Sequence, residues 1–180
     1  ARATGNPGVL LLITGPGLTN ALTGIGQAYS DSSPLLVISS QTESALADKE
    51  RGTLHELRDQ LGVVRPVTLW NRRINRIEDI APAIAEAMDC LRRGRPRPIH
   101  LEIPTDVLEG TAPVQIAAPG VETAPAACLR PGPDPALVRR AAALLARAAK
   151  PLIIAGGGCV SSDAGAALAS VSELLQAPIV

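Results

Sequence analysis

The chain has no surplus of either charge: 17 Lys and Arg are matched by 17 Asp and Glu, for a formal net charge of +0. That removes the basic footprint required by nucleic acid or an anionic membrane surface. No apolar run approaches the ~20 residues needed to span a bilayer, and no charged segment leads into an apolar one at the start, as a secretory leader would. The expectation is a cytoplasmic protein with no membrane and no nucleic-acid partner. Cysteine is scarce. Cys90, Cys128 and Cys159 are odd in number, widely spaced and without a C-x-x-C pair, which argues against a disulfide framework or a zinc site and for buried thiols. What is present is 46% hydrophobic content in 180 residues, ample for a core.

The most informative stretch is Ile13 to Asp31, where an apolar strand breaks into the turn Gly15-Pro16-Gly17 and then into a helix of small residues. Glycines at a strand-to-helix turn permit positive φ and close approach by a ligand, to which the first helical amides present free donors. Gly15 and Gly17 are followed by Asn20, so the third glycine of a dinucleotide fingerprint is missing.

Apolar runs alternating with helical periods predict an α/β fold with a mainly parallel sheet. The predicted strands are Val9 to Ile13, Leu35 to Ser39, Val64 to Leu69 and Pro98 to Ile103, the first, second and last expected as parallel neighbours with Gly15 to Asn20 at their carboxyl edge. Ile77, Ile80, Ile84, Met88 and Leu91 recur at helical spacing, with acids first, arginines last and Gly94 after them. Ala, Pro and Gly then dominate, so the expected division is a first domain over 1–112, a linker over 113–133 and a second domain over 134–180. The second begins at the N-cap Asp134 with Pro135 at the first helical position. A short strand from Leu152 to Ala155 should follow, then Gly156-Gly157-Gly158 and a helix from Ser161 to Leu175. The chain opens without methionine at Ala1 and stops at Pro178-Ile179-Val180, where a strand is starting, and is expected to be an internal piece of a longer protein.

Several segments carry a family resemblance in order and spacing: Tyr29 to Gln41, Gly62 to Val67, Gly94 to Pro98, and Ile103-Pro104-Thr105-Asp106. Together with the glycine-proline turn they resemble the thiamin-diphosphate-dependent enzymes of the acetolactate-synthase-like branch. The resemblance implies the pyrimidine-binding domain of that fold, followed by the start of a Rossmann-like central domain. It implies a homo-dimer or tetramer acting on a small 2-oxo acid, with thiamin diphosphate, with Mg2+ bound by a C-terminal domain not in this chain, and with FAD in some members. The activating glutamate is expected upstream of Ala1, so no catalytic residue is expected here and the piece alone should be inactive.

On the same resemblance Pro16, Gly17 and Asn20 are candidate cofactor contacts, the alternative being a plain turn and a helix-packing amide. Arg95, Gly156 and Gly157 correspond to FAD-binding positions, although an arginine among Arg92, Arg93 and Arg97 is as readily solvated. Where acetolactate synthases have phenylalanine and glutamine facing the cofactor, this chain has His55 and Glu56. A carboxylate there disfavours a plain anionic 2-oxo acid and favours one with a distal cation, such as 5-guanidino-2-oxopentanoate. The alternative is a polar surface helix. Thr105 replaces a usual lysine, and His100 reads as a core histidine. Rival readings are a non-catalytic nucleotide-binding module and a scaffold.

Overall fold

A computed structural model describes residues 1–113 and 132–180. The chain divides into two compact units, the division falling in the stretch that is not described. The linker expected over 113–133 lies almost wholly outside the described residues, as does Cys128.

In the first unit the order is β1 (Gly8–Leu12), α1 (Pro16–Ser30), β2 (Leu35–Gln41), α2 (Gln60–Val64), a 3-10 turn (Arg65–Val67), β3 (Trp70–Arg73), a 3-10 turn (Ile77–Asp79), α3 (Ile80–Arg92), β4 (Ile99–Pro104) and α4 (Thr105–Leu108). The strands form one four-stranded sheet in the order β1-β2-β4-β3, and every pairing is parallel. The expected neighbours β1, β2 and β4 are found together, and the Gly15 turn follows the carboxyl end of β1.

Strand alternation divides the apolar residues between two faces. Leu36, Ile99, Leu101 and Ile103 pack with Ala83, Ala87 and Leu91 of α3. Val37 of the opposite face packs with Leu18 and Ile25 of α1 and Val64 of α2. Each such leucine or isoleucine taken fully from water contributes roughly 1.5–3 kcal/mol before the entropy of ordering it. At the sheet edge, Val9 and Leu11 pair in register with Leu36 and Ile38, but α3 does not reach them and they stay 59% and 72% exposed. The assembly implied by the family resemblance would expose an apolar patch around the Gly17–Tyr29 helix, and the helix itself exposes no large apolar side chain. Outward positions of α1 are Thr19, Asn20, Thr23, Gly24 and Gln27, and the exposed large apolar side chains nearby belong to β1 instead.

One predicted strand is corrected. Val64 to Leu69 is the end of α2 and a 3-10 turn, and the real strand is Trp70–Arg73. Asp59 N-caps α2, its Oδ1 accepting from the Gly62 amide at 2.7 Å, and Pro66 sits in the first positions of the turn, where its missing N–H is harmless. Capping and proline outweigh the β-branched run.

The second unit contains α5 (Pro135–Leu145), α6 (Gly157–Ser161) and α7 (Gly165–Leu175). Asp134 caps α5 as expected, its Oδ1 accepting from the Ala136 amide at 2.8 Å. The predicted strand Leu152 to Ala155 is only an isolated parallel bridge between Ile153 and Ile179. The helix expected from Ser161 begins at Gly165, after a turn through Ser162. Leu137, Leu144, Val160 and Leu174 are all exposed, and Ala177 is the buried hydrophobic residue among this unit's described residues. Cys90 and Cys159 are half-buried thiols rather than buried ones.

Candidate active site at the carboxyl edge of the sheet

After β1 the chain leaves the sheet through Thr14 and turns at Gly15, with φ 64° and ψ −114°, before Pro16 opens α1. Glycine is required there twice over. The positive φ disfavours any side chain, and a Cβ would overlap the backbone carbonyl oxygen of His55. His55 is itself left-handed, at φ 62°. Two residues with positive φ thus meet backbone to backbone, which places the segment Thr53–Glu56 against the start of α1.

Beneath the turn lies a buried polar cluster. Ser39, Gln41, Gln60, His100 and Glu102 are each at most 1% exposed. Register explains why: Val37 pairs with His100 and Ser39 with Glu102, and Arg73 pairs with Glu102, so these side chains share the α1 face just beyond the apolar core. Gln60 is the hub. Its Oε1 accepts from the Thr14 hydroxyl at 2.7 Å and the Gly15 amide at 2.8 Å. Its Nε2 donates to the Ser40 carbonyl at 2.9 Å, Glu102 Oε2 at 2.9 Å and Ser39 Oγ at 3.2 Å. Glu102 Oε1 accepts from Arg73 Nε, and Arg73 also donates to Asp48 Oδ1 at 2.9 Å. Hydrogen bonding to Asp48, and then to Glu102, raises the Arg73 pKa against the opposing effect of burial, keeping the guanidinium charged. The same contact with Arg73 lowers Asp48.

His100 bonds Ser39 Oγ through Nε2 at 2.8 Å, and burial pushes its pKa down to about 4. It is a neutral core histidine, as its sequence setting predicts. Asp106 takes the Ser44 amide at 2.9 Å and hydroxyl at 3.0 Å, tying the loop after β2 to α4.

Four polar atoms around the turn are buried without partners: Gln41 Nε2, Thr53 Oγ1, His55 Nδ1 and Glu56 Oε1. The other oxygen of Glu56 accepts from the Thr53 amide at 3.0 Å. Partial desolvation would raise the Glu56 pKa, but the amides of Thr53, Gly52 and Arg51 outweigh it, so the carboxyl is held below its ordinary value. The edge therefore offers a donor, an imidazole nitrogen and one oxygen of an ionised carboxylate without partners. Among the described residues no group of three or more His, Cys, Asp or Glu side chains could hold a metal ion, and no helix is long and apolar enough to cross a membrane.

Residues 1–63 match the thiamine pyrophosphate enzyme N-terminal TPP binding domain, and residues 138–180 match the central domain of the same enzymes. The chain belongs to the thiamine pyrophosphate enzyme family. It is 46% identical over 182 residues to a probable 2-ketoarginine decarboxylase of Pseudomonas aeruginosa, covering 99% of this chain and 31% of that protein. It is 33% identical over 186 residues to a probable acetolactate synthase large subunit of Methanocaldococcus jannaschii, covering 99% and 30%. With acetolactate synthase isozyme 3 large subunit of Escherichia coli it is 34% identical over 182 residues, covering 100% and 31%. The chain thus spans just under a third of the length of these relatives.

In this thiamine pyrophosphate enzyme chain, the sequence-predicted residues fall into separate places. Pro16 and Gly17 open α1 and Asn20 begins its second turn, Pro16 and Asn20 exposed. His55 and Glu56, both half-buried, are brought beside them by the Gly15–His55 contact. They sit in a loop ahead of α2, not in the surface helix that was the alternative. Thr105 follows β4 at the same edge. Arg95 does not join them: its Nε donates to Ser32 Oγ at 2.7 Å, between the loops that enter β4 and β2, at the amino edge. Gly156 and Gly157 open α6 in the other unit, with open space where a Cβ would stand. Gln60, Glu102 and Gln41 carry no signal in the sequence, because an isolated polar side chain has no periodicity to mark it.

Proposed function

We propose that this chain supplies the pyrimidine side of a thiamin diphosphate site in a 2-oxo acid decarboxylase, and that the favoured substrate carries a cation at its far end. The observation that carries the reading is the apposition of the Gly15–Pro16 turn and the His55–Glu56 segment at the carboxyl edge, with unpartnered Gln41, His55 and Glu56 atoms beside it. Open parallel sheets bind ligands at that edge. Pro16, Gly17 and Asn20 would hold the ring. When bound, thiamin diphosphate supplies a carbon nucleophile for the oxo carbon and takes up the electrons left as CO2 departs. Glu56, ionised and with Oε1 free, pairs a guanidinium or ammonium at the other end of the substrate, and the similarity to a probable 2-ketoarginine decarboxylase supports that choice. His55 walls the pocket or passes a proton through its free Nδ1.

Mg2+ for the diphosphate, a homo-dimer or tetramer and a cytoplasmic setting belong to the same reading of the intact protein. FAD draws on less: the three open glycines Gly156 to Gly158, which nothing in their own unit requires, and the solvent-facing Arg95. Flavin absorbance of the purified intact protein decides it. The acetolactate synthase relatives favour a second outcome, transfer to another carbonyl instead of protonation.

The test is CO2 release by the intact protein from a panel of 2-oxo acids, with and without thiamin diphosphate and Mg2+. Cofactor-dependent release, faster with 5-guanidino-2-oxopentanoate than with pyruvate, is expected. An aldehyde product marks a decarboxylase and an acyloin a synthase. No cofactor binding and no release would replace the reading with the nucleotide-module or scaffold alternative.

A further inference from the structure

We propose that Gln60 is a positioning residue for the cofactor turn, oriented by Glu102; this rests on the thiamin diphosphate reading above. The Gly15 N–H points away from any strand partner, because β1 ends at Leu12, and it lies in a buried environment. A buried amide without an acceptor is costly. Gln60 Oε1 is its acceptor and also takes the Thr14 hydroxyl, so one side-chain oxygen fixes the two residues that lead into Pro16.

A carboxamide can sit either way round, and its surroundings decide which. Three acceptors surround Nε2: the Ser40 carbonyl, Glu102 Oε2 and Ser39 Oγ. Reversal would set the NH2 group against the Gly15 N–H and the carbonyl against the Glu102 carboxylate and the Ser40 oxygen. Donor would face donor, and acceptor would face acceptor. Glu102 is fully buried and is kept in place by Arg73, its register partner on β3. Sheet register therefore places the charge, the charge orients the amide, and the amide holds the turn in its left-handed form.

The arrangement permits an exchange. In Gln60→Glu the residue can still accept from Gly15 and Thr14, but two carboxylates then meet in a buried site. In the double variant Gln60→Glu/Glu102→Gln, the new amide at 102 donates to the carboxylate at 60 and accepts from Arg73, so that link is rebuilt with the charge moved across it, while the Ser40 carbonyl loses its donor.

The experiment uses the intact protein and two readouts, calorimetric affinity for thiamin diphosphate with Mg2+, and hydrogen exchange of the 14–17 backbone in the cofactor-free protein. Gln60→Met and Gln60→Glu should each weaken cofactor binding about ten- to a hundredfold and speed exchange at Gly15. The double variant should recover part of both losses relative to Gln60→Glu, since the 60–102 link is restored and the Ser40 bond is not. KM for the 2-oxo acid at saturating cofactor should stay put. Unchanged affinity in folded Gln60→Glu overturns the proposal, and so does a folded double variant that shows no recovery. Should Gln60→Met fail to fold, the Gln60→Glu and double variants decide alone. If the unsubstituted protein binds no thiamin diphosphate, the functional reading fails instead, while exchange at Gly15 still reports whether Gln60 holds the turn.

Discussion

The backbone carbonyl of His55 fills the space that a side chain on Gly15 would need. Gly15 is also at φ 64°, so Gly15→Ala meets both a steric and a conformational penalty. It should destabilise the first unit by about 2–4 kcal/mol in denaturant unfolding. A loss below about 0.5 kcal/mol would show that the loop around His55 yields freely.

Gly17 is the useful contrast. A Cβ there meets Ile13 Cγ2 at 2.6 Å, but that side chain is more than half exposed and can turn aside. Gly17→Ala should therefore change stability by less than about 1 kcal/mol, while weakening thiamin diphosphate binding to the intact protein if the ring packs on this turn. Undiminished cofactor affinity would remove Gly17 from the contact surface.

The charge-pairing role of Glu56 is separable from general catalysis. Glu56→Gln in the intact enzyme should lower kcat/KM for a guanidino or amino 2-oxo acid by about one to three orders of magnitude and leave pyruvate nearly unaffected or improved. An equal effect on both substrates would exclude pairing with a distal cation. His55→Phe examines its neighbour: a fall in kcat together with slower aldehyde release identifies proton delivery, and neither change means a pocket wall.

Arg72 and Arg73 are adjacent and both ion-paired, yet their replacement should not cost the same. Arg73 and Glu102 are 20% and 0% exposed, so Arg73→Met strands a buried carboxylate and should cost about 3 kcal/mol. Arg72 and Glu86 are both 47% exposed, and Arg72→Met should cost no more than about 1 kcal/mol. Equal losses, measured by urea midpoints at constant m-value, would contradict the burial argument.

His100 gives the fold an acid-side slope. Its pKa is about 4 in the fold, against an ordinary 6.5, so the unfolded chain takes up this proton first as pH falls. Stability tied to the neutral ring is complete above pH 6.5 and declines as pH approaches about 4, by up to ~3 kcal/mol. Asp48 behaves differently. Lowered from 3.8, its contribution is present above that value and lost as pH falls through its folded pKa, so the two windows scarcely overlap. His100→Gln should flatten the slope of unfolding free energy between pH 6.5 and 4 while leaving the Asp48 region intact. An unaltered slope would assign that window to other groups.

How much was legible depended on whether the signal was local. β1 and β2 open on continuous apolar runs, β4 spaces Ile99, Leu101 and Ile103 two apart, and α3 is bounded by acids, arginines and a following glycine, so sequence alone locates them. β3 is short and carries Asn71, Arg72 and Arg73; its polar side chains are tolerable because Arg72 and Arg73 find carboxylates on α3 and β4. Val64 to Leu69 reads as the strand instead, although Asp59 caps a helix that ends at Val64 and Pro66 lies in the 3-10 turn that follows. The turn at Gly15 could be seen, but its support could not. Thr14, Ser39, Gln60 and Glu102 are dispersed along the chain and meet only through sheet register.

The interior position of β4 sets a schedule for folding. It is the last of the sheet's four strands in chain order, yet it separates β2 from β3. As the polypeptide emerges from its amino end, β1 and β2 can pair early, whereas β3 has no ladder partner until residues 99–104 have been made. Until then Arg73 lacks Glu102, and the support beneath the Gly15 turn is incomplete. Trp70, the single tryptophan, pairs in register with Ile99 and packs against the α3-side core. Its fluorescence is thus a natural clock for the moment the last strand slides between its neighbours.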